Sequence, residues 1–412
     1  MCVSSPVIYL LLVSCVTCEH WPQFRGPTAD GVAASGNPPV RWSETENVLW
    51  KTPIHGIGHS SPVIWGQQVW LTTAEDDGQR LFAICVDRET GKIRHDREVF
   101  RDVVPQPIHA SSSHASPTPV VESGRLYAHF GSYGTACLDT DSGDTLWERK
   151  DFVVDHRHGP GSSPVVVGKL LVLQFDGMDR QFVVALDKRT GETVWYRPRD
   201  IQYNSDNGER KKAFCTPYVV EVGGEQQLVT TAARSVIAYR PENGEVIWRV
   251  RFIGDSATAR PVFGNDLLYV STSCVDAKLL AIRPNGHGDV TETAVVWRET
   301  RGVPQRPSPL LIGTRLYGIH DQGVLTCRDG LTGNTIGKMR LAGNFAASPI
   351  FAGNRIYLPD ETGTTVVVDP TQKPQVLAKN QLDGGCMASP AVFGDTIILR
   401  TRTHLYAMRE TD

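Results

Sequence analysis

A motif that recurs along the chain constrains the fold more than any other feature of this 412-residue sequence. Ser-Pro is followed by apolar residues and Gly, then by an alternating strand pattern. Ala-x-Asp or Cys-x-Asp comes next, and then Thr-Gly or Ser-Gly, often with a Trp. Residues 185–195 fit this second half at every fixed position and end in Trp195. Self-similarity of this kind indicates a repeat architecture, in which each unit buries its apolar face against its neighbours.

The residue types of the motif predict a β-hairpin followed by an outer strand. Asp can accept hydrogen bonds from nearby backbone N–H groups, and Gly can adopt a positive φ, so together they suit a tight turn. The Trp lies at the start of the outermost strand and is predicted to pack its indole against the next repeat. The residues to which we assign these structural roles are Trp50, Asp87, Gly91, Asp139, Gly143, Trp147, Asp187, Thr190, Gly191, Trp195, Gly244, Trp248, Trp297, Asp329 and Gly333.

The number of copies and the position of the chain ends predict a closed ring. The last repeat stops after its third strand, at 405–408, whereas residues 46–53 look like an orphan outermost strand. We therefore predict an all-β fold, an eight-bladed β-propeller of four-stranded antiparallel blades that is closed when the N-terminal strand joins the C-terminal blade. Radial closure leaves no long open sheet edge. The innermost strands are marked by Pro62, Pro119, Pro164, Pro217, Pro261, Pro309, Pro349 and Pro390.

The N-terminal region precedes this predicted propeller, which spans residues 46–412. Residues 6–13 form an apolar run that is too short to span a bilayer but suits a signal peptide, which we place at 1–18. Residues 12–15 resemble a bacterial lipobox, in which Cys15 would be lipidated after cleavage. Release of a soluble protein and anchoring through Cys15 both stay open, and either makes the protein extracytoplasmic, periplasmic or secreted. Residues 19–45 are predicted to be an extended segment.

Charge and cysteine content narrow the class of partner. The formal net charge is −3 with both signs interspersed, so the chain lacks the basic stripe that nucleic acids require. We expect no nucleic-acid partner and a membrane contact only through a lipid anchor. Six cysteines recur about once per repeat in neither a zinc pattern nor a dense disulfide framework, so we interpret them as buried packing residues and predict no metal site. They are Cys85, Cys137, Cys215, Cys274, Cys327 and Cys386.

The repeats resemble the PQQ-like β-propeller repeat, which is shared by quinoprotein alcohol dehydrogenases, with pyrroloquinoline quinone (PQQ) as cofactor, and by the lipoprotein propeller BamB. Residues 21–27, Trp-Pro-Gln-Phe-Arg-Gly-Pro, also look like the opening of many bacterial PQQ-like propeller proteins. The resemblance implies the fold but not the chemistry. In the dehydrogenases PQQ lies between a Trp and a disulfide of adjacent cysteines, near Ca²⁺ and an aspartate base. Because this sequence has no adjacent Cys pair, we predict no cofactor and keep PQQ with Ca²⁺ as the alternative.

Three long connections between predicted blades mark the candidate binding face. Residues 99–116, 151–162 and 198–215 each join an outermost strand to the next innermost strand, beside the central channel, where function is commonly carried. Loop histidines with purely structural hydrogen bonds, and arginines that pair with acids such as Asp321, are the alternatives to ligand binding. No catalytic residue is assigned. The candidate binding residues are His59, His109, His114, His156, Arg157, His158, Arg234, Arg260 and Arg306.

These features favour one function over two alternatives. We predict a non-catalytic binding or scaffold propeller that engages a protein, peptide or polysaccharide partner in the cell envelope through its long-loop face. A small PQQ-dependent quinoprotein oxidoreductase, acting on alcohols or aldose sugars, is the first alternative. A metal-dependent hydrolase or lyase that uses the loop histidines is the second.

Overall fold

The computed structural model describes residues 20–273, 276–371 and 374–411, so the predicted signal at 1–18, with Cys15, lies outside the described residues. Within these ranges the chain forms eight sheets arranged as the blades of a propeller. The first strand, β1 (Val48–Pro53), belongs to the last blade.

The first four blades follow one another in chain order. Blade 1 contains β2 (Val63–Trp65), β3 (Gln68–Ala74), β4 (Leu81–Asp87) and β5 (Ile93–Phe100). Blade 2 contains β6 (Val120–Glu122), β7 (Arg125–His129), β8 (Thr135–Asp139) and β9 (Thr145–Arg149). Blade 3 contains β10 (Val165–Val167), β11 (Leu170–Asp176), β12 (Gln181–Asp187) and β13 (Thr193–Pro198). Blade 4 contains β14 (Tyr218–Val222), β15 (Glu225–Ala232), β16 (Ser235–Tyr239) and β17 (Val246–Arg251).

The other four blades repeat the pattern with one insertion. Blade 5 contains β18 (Val262–Gly264), β19 (Leu267–Ser271), β20 (Leu279–Ile282) and β22 (Val295–Glu299). An insertion between β20 and β22 contains β21 (Gly288–Asp289), which pairs parallel with β17 as a fifth strand of blade 4, and a short helix, α1 (Thr291–Ala294). Blade 6 contains β23 (Leu310–Ile312), β24 (Arg315–His320), β25 (Val324–Asp329) and β26 (Thr335–Arg340). Blade 7 contains β27 (Ile350–Ala352), β28 (Arg355–Pro359), β29 (Thr364–Asp369) and β30 (Gln375–Gln381). Blade 8 contains β31 (Ala391–Phe393), β32 (Thr396–Arg400), β33 (His404–Met408) and β1.

The ring closes as the sequence predicts. β1 pairs antiparallel with β33, with Lys51 opposite Tyr406 and Thr52 opposite Leu405, and the sheet order is β1-β33-β32-β31. The N-terminal strand therefore completes the C-terminal blade, and the prediction of an eight-bladed, all-β propeller is confirmed. The middle strands, such as β4, are buried on both faces because neighbouring blades cover them, whereas the outermost strands, such as β26, alternate between exposed and half-buried positions.

The motif forms the turn between the third and fourth strands of a blade. Asp87 Oδ1 accepts hydrogen bonds from the backbone N–H groups of Glu89 and Thr90, at 3.1 and 2.8 Å. Gly91 has φ = 70°, a conformation that glycine adopts without strain, and its N–H donates to the Asp87 carbonyl at 2.9 Å. The same Asp–Gly arrangement recurs at Asp139–Gly143, Asp187–Gly191 and Asp329–Gly333.

The Trp of one blade lies on the Gly turn of the next. The Trp50 indole covers Gly91, and its Nε1 donates to the Arg88 carbonyl at 2.9 Å. Trp147, Trp195 and Trp297 contact Gly191, Gly244 and Gly333 in the same way, and each donates to a backbone carbonyl of that turn. Trp248 differs, since its Nε1 donates to Gln227 Oε1 of its own blade at 2.8 Å. The insertion with β21 and α1 replaces the Gly turn that it would otherwise meet.

Residues 21–33 lie in the central channel, and we call them the plug, whereas residues 37–42 contact blades 7 and 8. Trp21 pairs with Ile64 of β2 in blade 1, and Val32 pairs with Phe351 of β27 in blade 7, two blades away around the ring. Between these bridges, the Thr28 carbonyl accepts a hydrogen bond from the Tyr218 hydroxyl at 3.4 Å. Because the innermost strands have free edges, the plug satisfies backbone groups of several blades and also fills the channel.

Candidate functional site

A cavity of about 1230 Å³ opens at the mouth of the central channel, above the plug. We call it the cup. The loops that precede the innermost strands line its sides, and Phe24 of the plug lies at its floor. The long connections contribute Ser111 and Ser112, residues 158–161, and residues 207–214 in part, so the three loops predicted as the binding face all reach the cup.

A ring of hydroxyl groups surrounds the floor of the cup. The residue before each innermost-strand proline is Ser or Thr in seven blades, and in six of them its backbone N–H donates to the hydroxyl of the same position in the next blade. The distances are 2.9 Å from Ser61 to Thr118, 2.9 Å from Thr118 to Ser163, 3.0 Å from Ser163 to Thr216, 3.0 Å from Ser308 to Ser348, 2.8 Å from Ser348 to Ser389 and 3.0 Å from Ser389 to Ser61. All seven residues of this hydroxyl ring line the cup.

Arg260 interrupts the hydroxyl ring in blade 5. Its backbone N–H donates to the Ser308 hydroxyl at 2.9 Å, but its own side chain offers no hydroxyl to the preceding blade. The guanidinium group instead donates to the carbonyls of Pro217 and Phe24, at 3.0 and 2.7 Å. The break in the ring is therefore the point at which blade 5 holds the plug and fixes the floor of the cup.

Histidines and an aromatic ring form one wall of the cup. His109 and His158 lie edge to face with ring centroids 5.6 Å apart, and His158 stacks on Phe214 at 6.2 Å. His109 Nδ1 contacts the Ser111 hydroxyl at 2.8 Å. Burial, with a further contribution from the positive charge of Lys212, lowers the pKa of His158. On another side, burial and the charges of nearby arginines lower the pKa of His59 to about 4, so this histidine is neutral at pH 7.

The charged side chains of the cup are largely paired with one another. Arg306 lies 2.6 Å from Asp321 and 2.8 Å from Glu361. Arg210 contacts Asp255 at 3.2 Å, and Lys212 forms a short ion pair with Glu209. These pairs fix the side chains in one arrangement, so the cup presents ordered donors and acceptors.

A smaller cavity of about 550 Å³ adjoins the cup between blades 5 and 6. Gln305 and His320 line both cavities. Ile253, which is 66% exposed, and Val303 give the smaller cavity an apolar side. The cup therefore extends toward blades 5 and 6. The loops that connect blades there are shorter than the loops that connect blades 1 to 4.

Four of the nine predicted binding residues line the cup, namely His59, His109, His158 and Arg306. His114 is buried, with Nε2 3.3 Å from the Gln106 carbonyl. His156 is also buried, and its Nε2 accepts a hydrogen bond from the Ser132 N–H at 2.9 Å.

The three remaining arginines have other surroundings. Arg157 is exposed and pairs with Glu209 at 3.1 Å. Arg234 lies in the turn between β15 and β16 with φ = 63°, rather than at the end of an innermost strand where the sequence analysis put it. Arg260 is buried beneath the cup and binds the plug.

Several residues that line the cup were not predicted from the sequence. The hydroxyl ring had a visible signal, because each of the eight counted prolines is preceded by Ser or Thr except at Arg260. Phe24 had none, since it is far in sequence from the loops that it meets. Lys212, Phe214 and His320 lie at the edges of connections, and nothing in their spacing indicates that they converge.

The lining does not match the PQQ site that the resemblance implies. Among the described residues that line the cup there is neither a Trp nor a Cys. The free cysteines Cys85, Cys137, Cys215, Cys327 and Cys386 are all buried. In the described part of the chain, no three His, Cys, Asp or Glu side chains converge as metal ligands. No helix within the described ranges is long and apolar enough to cross a membrane.

Solved structures with a similar fold include alcohol and methanol dehydrogenases and a BamB protein. The quinohemoprotein alcohol dehydrogenase from Comamonas testosteroni has a TM-score of 0.70 at 9% identity, over 95% of this chain and 82% of that one. BamB from Moraxella catarrhalis has a TM-score of 0.60 at 11% identity, over 88% of this chain and 99% of that one. A europium-containing methanol dehydrogenase has a TM-score of 0.56 at 12% identity, over 94% of this chain and 90% of that one. At these identities the likeness shows the fold alone.

The sequence itself matches a family model. No curated protein matches the chain significantly. The model described as outer membrane protein assembly factor BamB matches residues 43–221 and 179–412, which is most of the chain. The chain therefore belongs to the family of PQQ-like β-propellers that this model describes.

Proposed function

We propose that this protein is an extracytoplasmic, non-catalytic binding propeller that holds a segment of a protein, peptide or glycan partner in the cup. The observation that carries the proposal is the ordered polar lining of the cup. The hydroxyl ring, the paired charges around Arg306 and the stacked wall of His109, His158 and Phe214 are all held by the protein before any ligand arrives. Groups that are fixed in advance lose little entropy when they bind.

The size and shape of the cup favour a partner larger than a metabolite. A volume of about 1230 Å³ exceeds the usual range for small-molecule pockets, roughly 300–1,000 Å³. The adjoining cavity at Gln305 and His320 gives an elongated ligand a way out of the cup. A segment of a larger partner could therefore bind in the cup and continue over blades 5 and 6.

The acidic side chains of the cup are fixed by several partners. Asp321 accepts from Arg306 Nε and from two backbone N–H groups, those of Gln305 and Arg306, each at 3.1 Å. These three contacts fix the position of the carboxylate. Its arrangement supports a role in shaping the cup and orienting Arg306.

Site-specific photo-crosslinking in the cell envelope tests the proposal. A photoreactive residue at His109, on the rim of the cup, is expected to form one defined adduct. The same residue at Lys169, exposed in the β10–β11 turn at the opposite end of the channel, is the matched control and should not form it. Replacing 200–210 with a short turn should leave the fold intact and abolish the adduct. Truncating 104–113 removes His109, so for that variant the photoreactive residue is placed at His158, which also lines the cup, and its adduct should be lost as well. Identical adducts at both sites, or unchanged capture by both loop variants, would contradict the proposal.

A calorimetric titration with PQQ, with and without Ca²⁺, tests the alternative of a small quinoprotein oxidoreductase. Under our proposal, PQQ shows no saturable binding, because the cup lacks the Trp and Cys pair among its described lining residues. Binding near one PQQ per chain, with dye reduction by alcohols or aldose sugars, would support the oxidoreductase instead.

A further inference from the structure

Two guanidinium groups are buried in the channel beneath the floor of the cup. Arg25, in the plug, and Arg260, at the break in the hydroxyl ring, are each 1% exposed. Arg25 has φ = 68°, so the backbone of the plug adopts a rarely populated conformation at this residue. The plug thus places a charged side chain in the interior, where an unpaired charge is costly.

The hydrogen-bond partners of these two arginines are neutral. Arg25 Nη2 donates to the carbonyls of Asp30 and Pro309, the latter at 2.7 Å. Arg260 donates to the carbonyls of Pro217 and Phe24. Among the described residues, no carboxylate forms an ion pair with either arginine. The Asp30 carboxylate attracts both guanidinium groups electrostatically but forms no hydrogen bond with either. Its Oδ1 instead accepts hydrogen bonds from the Thr28 hydroxyl and the Val32 N–H, at 2.7 and 2.9 Å.

Two nitrogen donors of the Arg25 guanidinium group lack an acceptor. Its Nε and Nη1 are buried and have no hydrogen-bond partner among the described residues. Buried donors almost always have a partner, and a charged group that lacks one indicates a bound water or ion. Burial and repulsion from Arg260 lower the pKa of Arg25 to about 9, which still leaves the group positively charged at neutral pH.

Two other buried arginines of this chain, Arg199 and Arg328, pair with a carboxylate, whereas Arg400, also buried, donates only to Ser60 and Thr72 among the described residues. Arg199 is fully buried, and both oxygens of Asp176 accept from its guanidinium group at 3.0 Å. Arg328 is buried beside Glu299, at 3.1 Å. Arg25 of the plug and the neighbouring Arg260 differ from Arg199 and Arg328, because two cations lie close together with only one nearby, partly exposed carboxylate.

We propose that the plug binds one small monovalent anion, of the size and charge of chloride, through Nε and Nη1 of Arg25 beside Arg260. The anion supplies the missing negative charge and the missing acceptor together. Phe24 precedes Arg25 directly, so the anion also stabilises the floor of the cup. This inference does not rest on the proposed function.

Anomalous diffraction from crystals of the wild-type protein grown in sodium bromide tests the site directly. Bromide should give an anomalous peak within hydrogen-bond distance of Arg25 Nε or Nη1. Density for water without an anomalous peak at this position would overturn the proposal. Because the measurement uses the unaltered chain, it does not depend on a variant that folds.

A thermal unfolding series gives an independent measurement. Replacing sodium gluconate with sodium chloride at constant ionic strength should raise the unfolding midpoint by on the order of 2 °C, since only the folded state has the site. Arg25→Met should lose this chloride dependence. The matched control Arg328→Met removes another buried arginine and should keep it. Equal midpoints in both salts for the wild type, or the same chloride response in Arg25→Met, would overturn the proposal.

Discussion

The backbone N–H of Ser389 donates a 3.0 Å hydrogen bond to the hydroxyl of Ser61, which joins the last blade to the first at the floor of the cup. At the outer edge of the ring, β1 pairs with β33 and joins the same two ends of the chain again. The propeller is therefore closed twice, once near the axis by a side chain and once at the perimeter by a strand. The stability of the whole ring should depend on both closures.

Trp50→Ala should open the outer closure. The indole is 8% exposed, covers Gly91 and donates to the Arg88 carbonyl, so its removal should lower the free energy of unfolding by about 3–5 kcal/mol. Denaturant titration checks the energy. Amide hydrogen exchange checks the location, because Leu405, Tyr406 and Ala407 of β33 should exchange faster when β1 frays.

Trp147→Ala is the control for this variant. Trp147 makes the same contact with Gly191 within the continuous chain, where no chain end has to be held. It should destabilise the protein without faster exchange in β33. Unchanged stability of Trp50→Ala, or equal exchange in the two variants, would refute the closure by β1.

Gly91→Ala should be more harmful than its positive φ alone explains. A Cβ at this position would lie 2.7 Å from the Trp50 indole, which is confined by the turn. Gly124 has a similar φ of 75°, but nothing lies within 4 Å of a Cβ there, so Gly124→Ala isolates the backbone effect. We expect Gly124→Ala to lower the free energy of unfolding by about 1 kcal/mol, and Gly91→Ala to lower it by about 1–3 kcal/mol more. Equal unfolding free energies for the two variants would show that the Trp does not confine the turn.

Ser163→Ala should show that the hydroxyl ring is structural. The variant leaves the buried N–H of Thr118 without its acceptor, which costs roughly 1–3 kcal/mol. Ser163→Thr keeps the hydroxyl and should be close to wild type, since Thr already stands at 118 and 216 in the same ring. Denaturant unfolding of the two variants tests this. An alanine variant as stable as the threonine variant would mean that water replaces the missing hydroxyl.

The fold was predictable because its determinants are local and repeated. Asp87 and Gly91 specify a turn within five residues, and the same pair recurs in other blades with the same geometry. The orphan strand around Trp50 was predictable because one repeat lacked its fourth strand. Where the local signal changes, the prediction loses detail. The insertion with β21 and α1 displaces the Gly turn opposite Trp248 and had no counterpart in the motif.

The site was only partly predictable because it is built from distant segments. The loops that carry His109 and His158 stood out by their length, and both residues line the cup. His114 and His156 lie in the same loops, yet their rings turn inward to bond backbone groups, which spacing in a loop cannot indicate. Phe24 reaches the cup only through the plug, and its position depends on Arg260, 236 residues away.

The buried histidine His156 should make stability fall in mild acid. Burial lowers its pKa to about 4, and its Nε2 accepts from the Ser132 N–H, so the folded state favours the neutral ring. In the unfolded chain the pKa is about 6.5, so the unfolded state binds more protons between pH 6.5 and 4, and stability drops as the pH falls through this window. Between pH 7.5 and pH 5, protonation of this residue should lower the free energy of unfolding by about 2 kcal/mol. His156→Gln keeps an acceptor but cannot titrate, so denaturant unfolding should show a pH dependence weaker by that amount. Parallel pH curves for the wild type and His156→Gln would mean that the pKa of His156 is the same in the folded and unfolded states.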